Sequence, residues 1–153
     1  MIDDLYSARI LKLAADMPHA GRLAAPDASS QKVSKLCGST ITVDVKVEDG
    51  KVADFAQEVR ACALGQAAAA VLGENVIGAS LDEIEVARDG LRAMLKDNGP
   101  APQGRFSELR VLAPVKDYPA RHTSTLLAFE AAVEAVRTAV QAQASRTSRA
   151  GAA

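Results

Sequence analysis

TITVDVKVEDGKVADFAQEVR, residues 40–60, decides the fold. In its first half Ile41, Val43, Val45 and Val47 alternate with Thr42, Asp44 and Lys46. A period of two means a strand with one buried face and one polar face. Glu48-Asp49-Gly50 then reads as a turn, and residues 51–60 as a return strand with Ala53, Phe55 and Val59 on one face. Two registers fit. A two-residue Asp49-Gly50 loop of type I′ pairs residues whose numbers add to 99, but mixes the two faces. A three-residue loop with Gly50 in the left-handed region gives pairs adding to 98, sets Val43 beside Phe55 and Val45 beside Ala53, and is preferred because a buried face specifies register.

Outward from the hairpin, the pattern turns helical. Residues 3–16 carry Leu5, Tyr6, Ile10, Leu11, Leu13 and Ala14 as a stripe, with Asp3 and Asp4 in the first turn. Residues 18–30, rich in Pro, Gly and Ser, read as loop, and residues 31–36 as a short edge strand. Residues 63–72 are alanine-rich and helix-prone, with Gly73 as C-cap. Ser80-Leu81-Asp82-Glu83 is a capping box before a helix stopped by Asn98-Gly99-Pro100. Phe106 to Val115 is apolar and ambiguous; Pro119 precedes a last helix over about 124–143. The expected architecture is α+β, a single domain over residues 1–143 with helices packed on one face of a small antiparallel sheet, and a tail without structure over 144–153.

Composition narrows the function. The 153 residues carry 18 basic and 19 acidic side chains, a balance that gives no reason to expect nucleic acid or an anionic membrane as partner. Three Phe, two Tyr and no Trp offer little for stacking bases. No apolar run approaches the ~20 residues of a membrane span, and the acidic N-terminus is unlike a signal peptide, so the expected compartment is the cytoplasm. No Ser/His/Asp set, phosphate loop or carboxylate pair points to general catalysis.

Cys37 and Cys62 stand out. Either register brings them to the open end of the hairpin, with the sulfurs expected within roughly 8 Å. Cys62 also falls at the start of the alanine-rich helix, where the dipole favours a thiolate, and Gly38 and Gly65 leave room beside each thiol. Against this stands the plain alternative of two buried structural thiols, since the pair lacks CxxC spacing and two ligands fall short of four.

Leu36-Cys37-Gly38-Ser39, the VDVKVEDGKVADF hairpin and Arg60-Ala61-Cys62-Ala63 resemble the iron–sulfur cluster assembly scaffold family that includes IscU, the N-terminal domain of NifU, and SufU. Tyr6-Ser7 with Pro18 and Gly21 is similar to the family's opening helix and N-P-R-N-x-G loop. Residues 64–72 resemble its small-residue helix, and Val115-Lys116-Asp117-Tyr118-Pro119-Ala120-Arg121 followed by Leu126-Leu127-Ala128 resembles the SufU-type approach to the last helix. The resemblance implies a three-stranded antiparallel sheet covered by helices, with an N-terminal helix and a long C-terminal one. It also implies a binding protein, not an enzyme, that accepts sulfur from a cysteine desulfurase, holds iron or an iron–sulfur cluster (or zinc), and passes cargo to acceptor proteins.

The departures lie in the ligands. The family's Cys-Gly-Asp is Cys37-Gly38-Ser39 here, and its third cysteine, at the start of the last helix, aligns with Ser124. Ser39 and Ser124 are thus degenerate ligand positions: Ser124 would serve as an N-cap and Ser39 would sit at the surface. His122, one position off from the histidine some members carry beside the third cysteine, is a further candidate ligand. Asp117 and Glu58 are candidates by proximity only, and His19 matches no ligand position. A symmetric homodimer would bring four thiols to a bridging [2Fe–2S] centre. The alternatives are a degenerate homologue that keeps the docking surface but binds no cluster, and a sulfur transferase with Cys62 as acceptor.

Overall fold

The computed structural model describes residues 7–35 and 38–152, with side chains to Arg146. The first helix, α1, spans Ala8–Ala15 and is capped by Ser7, whose Oγ accepts from the Ile10 amide at 3.3 Å. Ile10 and Leu13 are buried, whereas Leu11 faces out; the start expected at Asp3 lies outside the described residues. Three strands follow: β1 (Ala28–Ser34), β2 (Ser39–Glu48) and β3 (Lys51–Arg60), all antiparallel in the order β1-β2-β3. The edge strand thus begins three residues earlier than its sequence suggests, inside the segment read as loop.

The hairpin has the two-residue turn, not the preferred three-residue loop, and keeps the register adding to 99 only as far as Val47 and Val52. Asp49 and Gly50 form a two-residue turn, with φ of 53° and 76°, the left-handed values a type I′ turn needs. Val47 pairs with Val52, but Lys46 pairs with Asp54, so Ala53 is an extra residue, a β-bulge. Beyond it Val45 faces Phe55 and Val43 faces Gln57. The bulge lets the tight turn and the alternation of faces coexist. It also turns Ala53 out to solvent and puts Val52 on the buried face.

Helix α2 (Ala63–Asn75) and helix α4 (His122–Ala152) cover the apolar face of the sheet, α4 against β1 and β2, α2 against β3. Helix α3 (Leu81–Lys96) packs on α4, and α1 packs on α2. Ile41, Val43, Val45, Val47, Val52 and Phe55 meet Leu126, Phe129, Val133 and Val136 in one core. Ser80 and Glu83 make the expected capping box. Gly73 does not end α2 but lies within it, where a Cβ would come 2.7 Å from Pro18 Cγ and 2.8 Å from Gln57 Nε2. The ambiguous segment is a run of 3₁₀ turns over Gly104–Asp117, broken at Phe106. Phe106, Leu109, Leu112 and Val115 are its buried positions. Their spacing of three is the 3₁₀ repeat. The backbone of α4 continues past Ser145, from where small polar residues suggest an unstructured tail; Arg146, Arg149 and Ala150 in that stretch are good helix formers.

The polar face of the sheet is partly covered too. The segment 18–27 folds back over it, and Arg22 and the Leu23 amide reach Asp44, whose side chain is wholly buried. His19 accepts from the Gln57 amide and Gly21 donates to the Gln57 carbonyl, both at 2.9 Å, so this segment also closes the free edge of β3.

Candidate metal centre

Cys62 is the N-cap residue of α2, with extended backbone (φ −66°, ψ 169°) and no side-chain capping bond. Its thiol is half-buried and free. The sulfur lies 3.2 Å from Oγ of Ser124, in the first turn of α4. Two elements 62 residues apart in sequence therefore meet at one sulfur. Gly65 makes the meeting feasible: a Cβ there would sit 2.9 Å from Ala61 Cβ and 3.1 Å from the Ser124 carbonyl oxygen.

Ser124 is 1% exposed and is the third residue of α4, not its N-cap as expected. The helix starts two residues earlier because Pro119–Arg121 already forms a 3₁₀ turn that leads into it. Ser39 is also buried, at the start of β2 paired with Ser34, and not at the surface as expected. Strand β1 lies alongside it there, and α4 packs on β2.

Cys37 lies outside the described residues, and so does the expectation for the distance between the two sulfurs. Its neighbour Gly38 is left-handed (φ 71°), and its amide donates to the Ser34 carbonyl at 2.8 Å, closing the β1–β2 turn. The β2–β3 ladder ends at Thr40 and Arg60, so Gly38 and Cys62 both lie just beyond its open end. Relative to pairs adding to 98 the ladder is displaced by two residues, one from the two-residue turn and one from the bulge at Ala53.

The other candidates stand apart. His122 is buried, and its Nε2 faces the carbonyls of Val115 (3.0 Å) and Lys116 (3.2 Å), so that nitrogen carries a proton and is spent as a donor. Two positions along a helix are about 200° of rotation, which turns His122 away from the Ser124 side. Glu58 is exposed, 3.9 Å from Arg22. It shares with Met17, Gly21, Arg60 and Gln66 a hollow of about 350 Å³ between the end of α1 and the first turn of α2. Asp117 lines a different hollow, beside Arg110 and Lys116. His19 is exposed with its ring edge-on to Phe55 at 6.0 Å. Among the described residues no group of three or more His, Cys, Asp or Glu converges on one point.

Sequence reasoning missed Asp44 and Gln57, polar residues with no exposed surface. Asp44 takes bonds from Arg22, Ser29 and the Leu23 amide. Gln57 donates to the Ala69 carbonyl at 2.9 Å and ties β3 to α2. The signal for the first is an Arg–Leu pair in a loop long enough to fold back; nothing in the sequence distinguishes buried Gln57 from exposed Glu58 beside it.

Comparison with known proteins agrees with this architecture. Residues 5–125 match the NifU-like N terminal domain family. The iron–sulfur cluster assembly scaffold protein IscU of Thermotoga maritima is 29% identical over 133 residues, 87% of this chain and 93% of its own length. IscU of Streptococcus pyogenes serotype M1 is 28% identical over 142 residues, 93% of this chain and 89% of its own. The crystal structure of a nitrogen-fixing NifU-like protein (N-terminal) from Brucella abortus superposes with a TM-score of 0.89 at 54% identity, covering 92% of this chain and 97% of that one. No helix among the described residues is long and apolar enough to cross a membrane. With a three-stranded sheet, a cysteine at the head of the helix that follows it and a family match over most of its length, the chain belongs to the NifU-like N-terminal domain family of iron–sulfur cluster assembly scaffolds.

Proposed function

We propose that the chain is a cytoplasmic carrier that holds iron or an iron–sulfur cluster as cargo on the thiolates of Cys37 and Cys62 and passes it to acceptor proteins. Its role is binding and not catalysis. The observation that carries this reading is the placement of Cys62. Its sulfur stands unused by the helix cap, half open to solvent, with α4 closed against it through Ser124 at 3.2 Å. A metal-bound thiolate is negative, and the first-turn amides of α2 favour negative charge there. The relatives named for iron–sulfur cluster assembly support the cargo, with a cysteine desulfurase as the proposed sulfur donor.

Two thiolates fall short of the four ligands of a cluster, and a symmetric homodimer would supply the rest. Zinc would occupy the same thiolates, since both metals require deprotonated sulfur. His122 does not serve as a ligand in this reading, because its Nε2 is taken by two carbonyls.

Anaerobic reconstitution with iron and sulfide tests the proposal. Native protein should take up both and show thiolate-to-iron absorption, and Cys62→Ala should lose both. Native protein that emerges without iron would instead favour a homologue that keeps the fold and its partners but carries no cluster.

A further inference from the structure

We propose that Ser124 is a positioning residue for Cys62: its hydroxyl donates a hydrogen bond to the sulfur whenever that sulfur is deprotonated. The proposal rests on the reading of Cys62 as a working thiolate. A thiolate, free or metal-bound, has no proton to give, so within this 3.2 Å pair the hydroxyl is the donor.

The neighbour in the chain shows that this aim is particular to Ser124. Thr125, one residue on, does what hydroxyls inside helices commonly do, its Oγ1 donating back to the Arg121 carbonyl at 2.7 Å. Among the described residues Ser124 makes no equivalent bond to Ala120, and its hydroxyl crosses to α2 instead. The backbone is built for that crossing. A Cβ on Gly65 would stand 3.1 Å from the Ser124 carbonyl oxygen and 3.6 Å from its Oγ, so a larger residue there would push α4 and its hydroxyl back. Ser124 is 1% exposed, so its hydroxyl reaches the half-buried sulfur from the closed side of the site. A serine resists the deprotonation a ligand needs, yet its hydroxyl suits a donor to a ligating sulfur, and bonds of that kind orient the ligand and set cluster potential.

The test uses full-length, metal-free protein carrying Cys37→Ala, so that Cys62 is its one thiol. Iodoacetamide is added at alkaline pH, on the plateau where the rate no longer rises. A donated hydrogen bond lowers the nucleophilicity of a thiolate. Adding Ser124→Ala should therefore raise the plateau rate several-fold, while Ser124→Thr, which keeps the hydroxyl, should react at the parent rate. Gly65→Ala, which moves Ser124 without removing its hydroxyl, should also be faster. Equal rates for Ser124→Ala and its parent would overturn the proposal, as would a Ser124→Thr variant as fast as Ser124→Ala. Should Ser124→Ala fail to fold, the Gly65→Ala and Ser124→Thr rates decide. Cobalt added to the chain with both cysteines reads the proposed function separately. If no thiolate-to-cobalt band forms that Cys62→Ala abolishes, the carrier reading fails, while the alkylation rates still decide the role of Ser124.

Discussion

Arg22 closes on Asp44 as a two-pronged fork, with Nε 2.6 Å from Oδ2 and Nη2 3.0 Å from Oδ1. Ser29 Oγ at 2.5 Å and the Leu23 amide at 3.0 Å complete the shell of a carboxylate with no exposed surface. The contact holds the segment before β1 against the polar face of the sheet. Asp44→Ala should cost about 1–3 kcal/mol, the lower part of the range for charged buried bonds, because half-exposed Arg22 can return to water. Urea unfolding measures it, and an unchanged midpoint would mean the loop is held by other contacts.

The same carboxylate sets part of the acid limb of stability. Burial pushes the Asp44 pKa up, but bonds from Arg22, Ser29 and the Leu23 amide outweigh it and hold the value below the usual carboxylate range. A folded value depressed below the unfolded one contributes stability in full above the ordinary carboxylate pKa of about 3.9, and loses it as pH falls through the folded value. Glu83, held down by the Ser80 amide and Arg105, and Glu134, held down by Ser30 and Lys32, act in the same direction. Melting temperature against pH should fall steeply below about pH 4. Asp44→Asn should flatten that limb, and a slope identical to native would refute its share.

Val45, with no exposed surface, faces Phe55 in the middle of the sheet. Val45→Asp places an unpaired carboxylate among aliphatic side chains, and a loss above about 4 kcal/mol is expected. Thermal melting of the variant checks it; a native melting temperature would contradict the placement of this face.

Two helical glycines should respond oppositely to alanine. At Gly73 the new Cβ meets Pro18 Cγ at 2.7 Å and Gln57 Nε2 at 2.8 Å, with the Pro18 carbonyl at 3.2 Å. Overpacking of about 1–3 kcal/mol outweighs the helix-propensity gain of at most ~1 kcal/mol. At Gly90 the nearest atom is Pro102 Cγ at 3.3 Å, the end of a loop ring that can shift. Gly90→Ala should be neutral or stabilising, and Gly73→Ala destabilising, by urea unfolding; the reverse order would show that α2 does not press on Pro18.

Alternation from Ile41 to Val47 exposed β2 directly, and Ser80 with Glu83 exposed the start of α3, because each signal is local. The bulge at Ala53 was hidden because an alanine suits either face and nothing in the sequence marks an extra residue. Asp44 looked like a solvent-facing residue because its partner Arg22 arrives from a loop 22 positions away. Phe106, Leu109, Leu112 and Val115 did carry the 3₁₀ period, but an interval of three also fits an α-helix, and Pro114 blurred it further. At the site, Cys62 and Ser124 were both picked out, while their contact depends on Gly65 and on where α4 begins, which only packing decides.

The central claim is that the head of α2 and the first turn of α4 still form adjoining walls of a metal site. Two thiolates on one tetrahedral zinc stand about 3.8 Å apart, from Zn–S bonds of roughly 2.3 Å. The present Sγ–Oγ distance of 3.2 Å is within a small adjustment of that. Zinc affinity, measured against a competing chelator for native protein, Cys62→Ala and Ser124→Cys, tests the claim most directly. The account predicts that Ser124→Cys binds at least an order of magnitude more tightly than native and that Cys62→Ala binds far more weakly. A correctly folded Ser124→Cys variant with native affinity, or a Cys62→Ala variant that keeps it, would contradict the account.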